Sequence, residues 1–115
     1  MNDINKIVQI FQSGNYQLAI QLAAGIGMND VELLMYIWEN ESEYYDITPE
    51  EYDMYLTHQR CIFGEFELTK EYDVDINEYE WFLADDYGND SYYSTLHNAL
   101  TCILNIIELN QNRVN

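Results

Sequence analysis

The sequence predicts a small, mainly helical domain of about five to six helices with at most one short β-strand pair, all-α or α+β. Three observations lead to that expectation. Apolar residues recur three and four apart over most of the chain, the run Thr48-Pro49-Glu50-Glu51 has the composition of a helix start, and one segment alone, Glu65 to Ile76, alternates at period two. The 115 residues, 48% of them hydrophobic, suffice for one domain with a core of its own.

Near the N-terminus Ile4, Ile7, Val8 and Phe11 repeat at helical spacing behind Asn2 or Asp3, and the run Ser13 to Asn15 ends that helix. A second helix carries Leu18, Ala19, Leu22 and Ala23 and stops where Gly25 or Gly27 can turn left-handed. Asn29 or Asp30 opens a third, with Val31, Leu34, Ile37 and Trp38 as inner positions. These first 27 residues are similar to the short helical hairpins of repeat proteins, although the unit does not recur and implies no activity.

The Thr48 start predicts a fourth helix with Tyr52, Tyr55, Leu56, Ile62 and Phe63 inward and Gly64 as its stop. Glu65 to Ile76 then reads as a strand: Phe66, Leu68, Tyr72, Val74 and Ile76 fall on one side, Glu65, Glu67, Glu71, Asp73 and Asp75 on the other. Glu41 to Ile47 is the best candidate for its partner, a pairing across a homodimer the alternative. Asn77 begins another predicted helix bearing Tyr79, Phe82 and Leu83, ended by Gly88. The last starts at Asn89, Asp90 or Ser91. Its polar positions Asn98, Thr101, Asn105, Glu108 and Asn112 form a narrow stripe, which predicts a central core helix or a dimer seam.

Charge divides this single domain, residues 1–115, into three parts. Residues 1–38 hold Asp3, Asp30 and Glu32 against Lys6, a net of -2, and residues 91–115 hold Glu108 against Arg113, a net of 0. Residues 39–90 hold 17 acids against Arg60 and Lys70, a net of -15 out of the total of -17. Solubility alone asks for a magnitude of about 2 to 8 in a small domain. Eleven tyrosines argue against a disordered acidic tail.

Chemistry-bearing motifs are scarce. Asp73-Val-Asp75-Ile-Asn77 opens like a calcium loop, but Glu78 stands where the loop needs glycine and Ala84 where it needs a bidentate glutamate. His58 with Cys61 and His97 with Cys102 have zinc-like spacing, yet on a helix the second pair would sit about 140° apart. A nucleophilic cysteine wants electropositive surroundings, which this chain lacks. No phosphate-binding glycine loop, nucleophile elbow or zinc-protease motif occurs. The expectation is a protein that is not an enzyme, with no cofactor and no metal.

No basic region followed by an apolar stretch opens the chain, and the apolar run Ala99 to Leu109 is short for a bilayer. Two cysteines do not make a disulfide framework, so a cytoplasmic protein is expected.

The acids and tyrosines of the middle are the candidate contact residues. One charged row is Glu65, Glu67, Glu71, Asp73 and Asp75. A second comprises Glu39, Glu41, Glu43, Asp46, Glu50, Glu51 and Asp53, with Tyr44 and Tyr45 beside it. Asp85, Asp86 and Tyr87 complete the set. Carboxylates spaced about 6.6 Å apart along a strand resemble the regular charge of nucleic acid, and tyrosine is favoured at binding hot spots.

In this charge pattern the chain resembles the DNA-mimic inhibitors that phages and mobile elements use against restriction or CRISPR nucleases, and it is similar to the acidic immunity proteins that neutralise nuclease toxins. The resemblance implies a basic nuclease or other nucleic-acid-binding protein as partner, and no direct binding of nucleic acid or membrane. A small structural adaptor using its apolar C-terminal helix is the rival reading.

Overall fold

A computed structural model describes residues 3–47, 56–73, 75–86, 88 and 90–113, leaving out the side chains of Tyr45, Ile47, Leu56 and residues 110–113. Three helices come first: α1 (Asp3–Gln12), α2 (Tyr16–Gly25) and α3 (Asp30–Glu41). Five strands follow, β1 (Glu43–Ile47), β2 (Leu56–Phe63), β3 (Phe66–Asp73), β4 (Glu78–Asp85) and β5 (Asp90–Tyr93), and α4 (Leu96–Arg113) closes the chain. The fold is α+β, with an antiparallel sheet in the order β1-β2-β3-β4-β5.

This corrects the mainly helical expectation. The predicted helix from Thr48 to Gly64 is the strand β2 over residues 56–63, while Thr48, Tyr52 and Tyr55 lie outside the described residues. The predicted helix after Asn77 is β4, and Asn77 itself sits in the turn before it with φ 58. The last helix begins at Leu96, because Asp90 to Tyr93 is β5.

The physical reason is that these segments satisfy both periods. In β4, Tyr79, Trp81 and Leu83 share one face and Glu78, Glu80 and Phe82 the other. That alternation fits a pleated strand as well as the Tyr79/Phe82/Leu83 spacing fits a helix, and its aromatics favour the strand once β3 is there to pair.

The strand predicted over Glu65 to Ile76 is shorter, β3 over Phe66–Asp73, with Glu65, Asp75 and Ile76 in turns and Val74 outside the described residues, and its neighbours are not the expected Glu41–Ile47 segment. It pairs with β2 through Cys61↔Leu68 and with β4 through Leu68↔Leu83, and the Glu43–Ile47 strand pairs instead with β2.

The three N-terminal helices appear where the spacing places them. At the α2 end, Gly27 takes the left-handed turn at φ 86, and Met28 N–H reaches back to Ala23 O at 2.9 Å. Asn29 and Glu32 form a reciprocal capping box that starts α3, at 2.8 and 3.0 Å.

One sheet face packs on the helices. Phe63, Phe66, Cys61, Leu68 and Leu83 meet Phe11 of α1, Leu33, Leu34 and Ile37 of α3, and Leu100 and Ile103 of α4, all buried. The smallest extent of the molecule, 19 Å, is that of a sheet carrying one helix layer. The apolar side of α4 is thus used inside the molecule. Among the described residues no single helix is long and apolar enough to cross a membrane.

Two helical side chains clasp the tight turn between β2 and β3. Gln12 Nε2 donates to Ile62 O at 2.7 Å, its Oε1 accepts from Gly64 N–H, and Glu65 N–H donates to Tyr16 Oη at 2.9 Å. The register of the whole hairpin is tied to the helix layer there.

Candidate functional site

Pairing fixes which residues stand together on the face turned away from the helices. Alternation along β3 puts Glu67, Thr69, Glu71 and Asp73 there, and the β3–β4 register sets Glu71 opposite Glu80 and Asp73 opposite Glu78. Four carboxylates therefore meet at one end of the hairpin, two strands wide and two positions deep. Strand neighbours are about 4.8 Å apart, and like charges directly opposite one another destabilise a sheet.

None of these four acids has a basic ion-pair partner among the described residues. The one ion pair there joins Arg60 to Glu43 at 3.3 Å, near the other edge of the sheet. Lys70 belongs to the helix-side face, with its Nζ 4.9 Å from the ring centroid of Tyr79 and 5.5 Å from that of Trp81.

The result is visible at Glu80. Desolvation, then the charge of Asp73 and a hydrogen bond shared with it, then the charges of Glu71 and Glu78, all push its carboxyl above the usual carboxylate range.

An open groove lined by Glu71, Tyr72, Asp73, Glu80 and Tyr92 runs over this cluster. Tyr92 of β5 is 61% exposed and packs its ring on Phe82 at 4.8 Å. A broad aromatic surface thus borders the acids, the combination that contact surfaces for cationic side chains use.

The candidate residues divide accordingly. Glu67, Glu71 and Asp73 are brought together on the outer face. Glu43 is on the same face at the far edge, and Tyr45 pairs with His58 in the β1–β2 ladder. Glu65 occupies the β2–β3 turn, and Asp75 the β3–β4 turn, where its N–H donates to Asp73 Oδ1 at 2.9 Å.

Others point elsewhere. Tyr44 and Asp46 belong to the helix-side face of β1, where Thr57 Oγ1 donates to Asp46 Oδ1 at 3.0 Å. Glu39 and Glu41 are exposed on the last turn of α3. Asp85 ends β4 beside Phe66 and borders a small cavity with Asp90, Ser91, Tyr93 and Cys102, and Asp86 is exposed in the following turn. Glu50, Glu51, Asp53 and Tyr87 lie outside the described residues.

Sequence reasoning missed Glu78, Glu80 and Tyr92. The signal for the first two was present, since Glu78-Tyr79-Glu80-Trp81 continues the acid/aromatic alternation of β3. Tyr92 carries no such signal, because its place depends on pairing with Phe82.

The cysteines are separated from any such cluster. His58 and Cys61, which a helix would have put on one face, stand on opposite faces of β2. Burial first, offset by a hydrogen bond with Ser42 and reinforced by the charge of Glu41, pushes the Cys61 thiol up to about 12. Cys102 accepts a hydrogen bond from Tyr93 Oη at 2.7 Å. No group of three or more metal-ligating side chains converges among the described residues.

Fold and site together define a two-layer α+β protein whose antiparallel sheet carries an acidic, tyrosine-bordered outer end. No family model, curated protein or solved structure matches this chain.

Proposed function

We propose that the chain is a non-catalytic, cytoplasmic binding protein that neutralises a basic nucleic-acid-binding protein or nuclease, presenting carboxylates where phosphates would otherwise sit. One observation carries this reading: Glu71 faces Glu80 and Asp73 faces Glu78, with no basic ion-pair partner for any of the four among the described residues. An arrangement that costs stability in the free protein is recovered when a partner brings lysine or arginine into the groove. The anionic rows on a rigid sheet favour a cationic protein surface over nucleic acid, which they repel.

The test is capture with the immobilised protein from lysate in about 50 mM salt, with elution in about 500 mM, beside an E71Q/D73N/E80Q control. Supporting the reading are basic nucleic-acid-binding proteins retained by the wild type, lost from the control, and displaced from their nucleic acid by it. Retention of neutral or acidic proteins alone, equal on both columns, sinks it. Displacement of bound nucleic acid marks a mimic of the phosphate track. Inhibition without displacement marks an immunity-type contact beside an active site.

A further inference from the structure

Strand β5 is shorter than the strand it pairs with. β4 spans Glu78–Asp85, but β5 meets only its later half, from Trp81↔Tyr93 to Ala84↔Asp90. The chain leaves the sheet there because Thr95 caps α4, its Oγ1 accepting from Asn98 N–H at 3.1 Å and its O from Ala99 N–H at 3.3 Å. Beside Glu78, Tyr79 and Glu80, the side of β4 opposite β3 therefore has no strand on it among the described residues.

Alternation of the ladder tells which backbone groups that gap exposes. Phe63 and Phe66 flank a two-residue turn and so form a hydrogen-bonded pair, which makes Glu71↔Glu80 and Asp73↔Glu78 hydrogen-bonded pairs of the β3–β4 ladder. The N–H and C=O of Tyr79, between Glu78 and Glu80, point the other way, toward the line that β5 would follow if it continued. Tyr72 N–H obeys the same alternation, reaching His58 Nε2 on the β2 side at 3.4 Å.

We propose that this gap receives an extended, basic segment of the partner protein, which continues the line of β5 and pairs with Tyr79; the inference rests on the cationic-partner reading above and specifies how that partner docks. Charge selects the occupant. The residue bonded to Tyr79 is flanked by two that stand opposite Glu78 and Glu80 on the outer face, so lysine or arginine at both places meets those carboxylates directly, with Asp73 and Glu71 one strand further on. The middle side chain turns to the other face, beside the Tyr79 ring that already carries Lys70 Nζ at 4.9 Å, so it is uncharged. The pattern is basic-x-basic with x neutral.

Other occupants fit less well. A second copy of this chain does not supply the pattern, since its four bases, Lys6, Arg60, Lys70 and Arg113, are nowhere two positions apart. A cationic helix laid over the acids has its main-chain donors and acceptors in use and offers none to Tyr79. The open groove over Glu71, Asp73, Glu80 and Tyr92 leaves the outer side of the gap clear, and Tyr79 itself is 37% exposed.

Three end-capped synthetic peptides test this by NMR titration of the isotope-labelled chain in about 50 mM salt: Thr-Lys-Val-Lys-Thr, Thr-Lys-Lys-Val-Thr, and the first sequence with its valine amide N-methylated. The first is expected to shift the Tyr79 N–H resonance and to slow its exchange with solvent. The second, of equal charge, binds severalfold more weakly, and the third, which cannot donate to Tyr79 O, about tenfold more weakly. Equal binding by all three overturns the strand-docking proposal and leaves the cationic-partner reading standing, as does binding without protection of the Tyr79 amide. Binding by none overturns it as well, and the lysate capture then decides that reading separately.

Discussion

The hydroxyl of Tyr16 occupies the space that a side chain on residue 64 would need: a Cβ added to Gly64 would collide with the Tyr16 ring and oxygen. Gly64 also holds φ at +63, as the first position of a two-residue hairpin turn between Phe63 and Phe66 requires. One residue thus meets a conformational demand and a steric one.

Gly64→Ala is expected to destabilise the protein by about 2–3 kcal/mol, combining the left-handed penalty with loss of the Tyr16 bond to Glu65 N–H. Urea unfolding measures it. Tyr16→Phe, which removes the hydroxyl and keeps the ring, should cost about 1 kcal/mol. A Gly64→Ala variant as stable as the wild type would show that the clasp does not hold the turn.

Stability should rise as the solution is made mildly acidic. The Glu80 carboxyl is raised in the folded protein, so its contribution is fully present below its unfolded value and is lost as pH rises through the folded one. Melting temperature is therefore expected to climb from pH 7.5 toward the carboxylate range, about pH 5, and to climb less in Glu80→Gln. A steady fall over that interval, the same in both proteins, contradicts the clustering of the four acids.

Relief of the same repulsion separates stability from binding. E71Q/D73N/E80Q is predicted to melt several degrees higher than the wild type and, on the proposed function, to bind a basic partner at least about tenfold more weakly. Calorimetry of the free protein and titration of the complex give the two numbers. Both moving in the same direction would argue that these acids have a structural rather than a recognition role.

Thiol labelling distinguishes the cysteines. Burial pushes the Cys61 thiol up to about 12, so it stays protonated in native buffer, and it is buried against Ile37. One equivalent of a thiol reagent, at Cys102, is expected in native buffer and two after denaturation. Rapid native labelling of Cys61 would show that β2 is not held against α3.

The N-terminal helices were legible because their signals are local: a cap at Asn29 or Asp30, a stop at Gly25 or Gly27 and apolar spacing each act within a few residues. β3 was legible for the same reason, its alternation being visible without a partner. β2 and β4 were not, because Thr48-Pro49-Glu50-Glu51 is a strong helix start and Tyr79/Phe82/Leu83 a plausible helix face. Only pairing on either side of β3 favours the extended form. The candidate site was read to the same extent. Glu67, Glu71 and Asp73 came from one strand's pattern, while their opposition to Glu78 and Glu80 is a matter of register.

The sequence by itself determined how much negative charge the chain carries, that it falls between residues 39 and 90, and that one strand presents it on one side. Tertiary structure alone decided that two acidic strands lie side by side with their carboxylates opposed, and that Tyr92 borders them. Composition and period act along the chain, whereas repulsion and recognition depend on distances across it, and those distances exist only once β3 and β4 have paired.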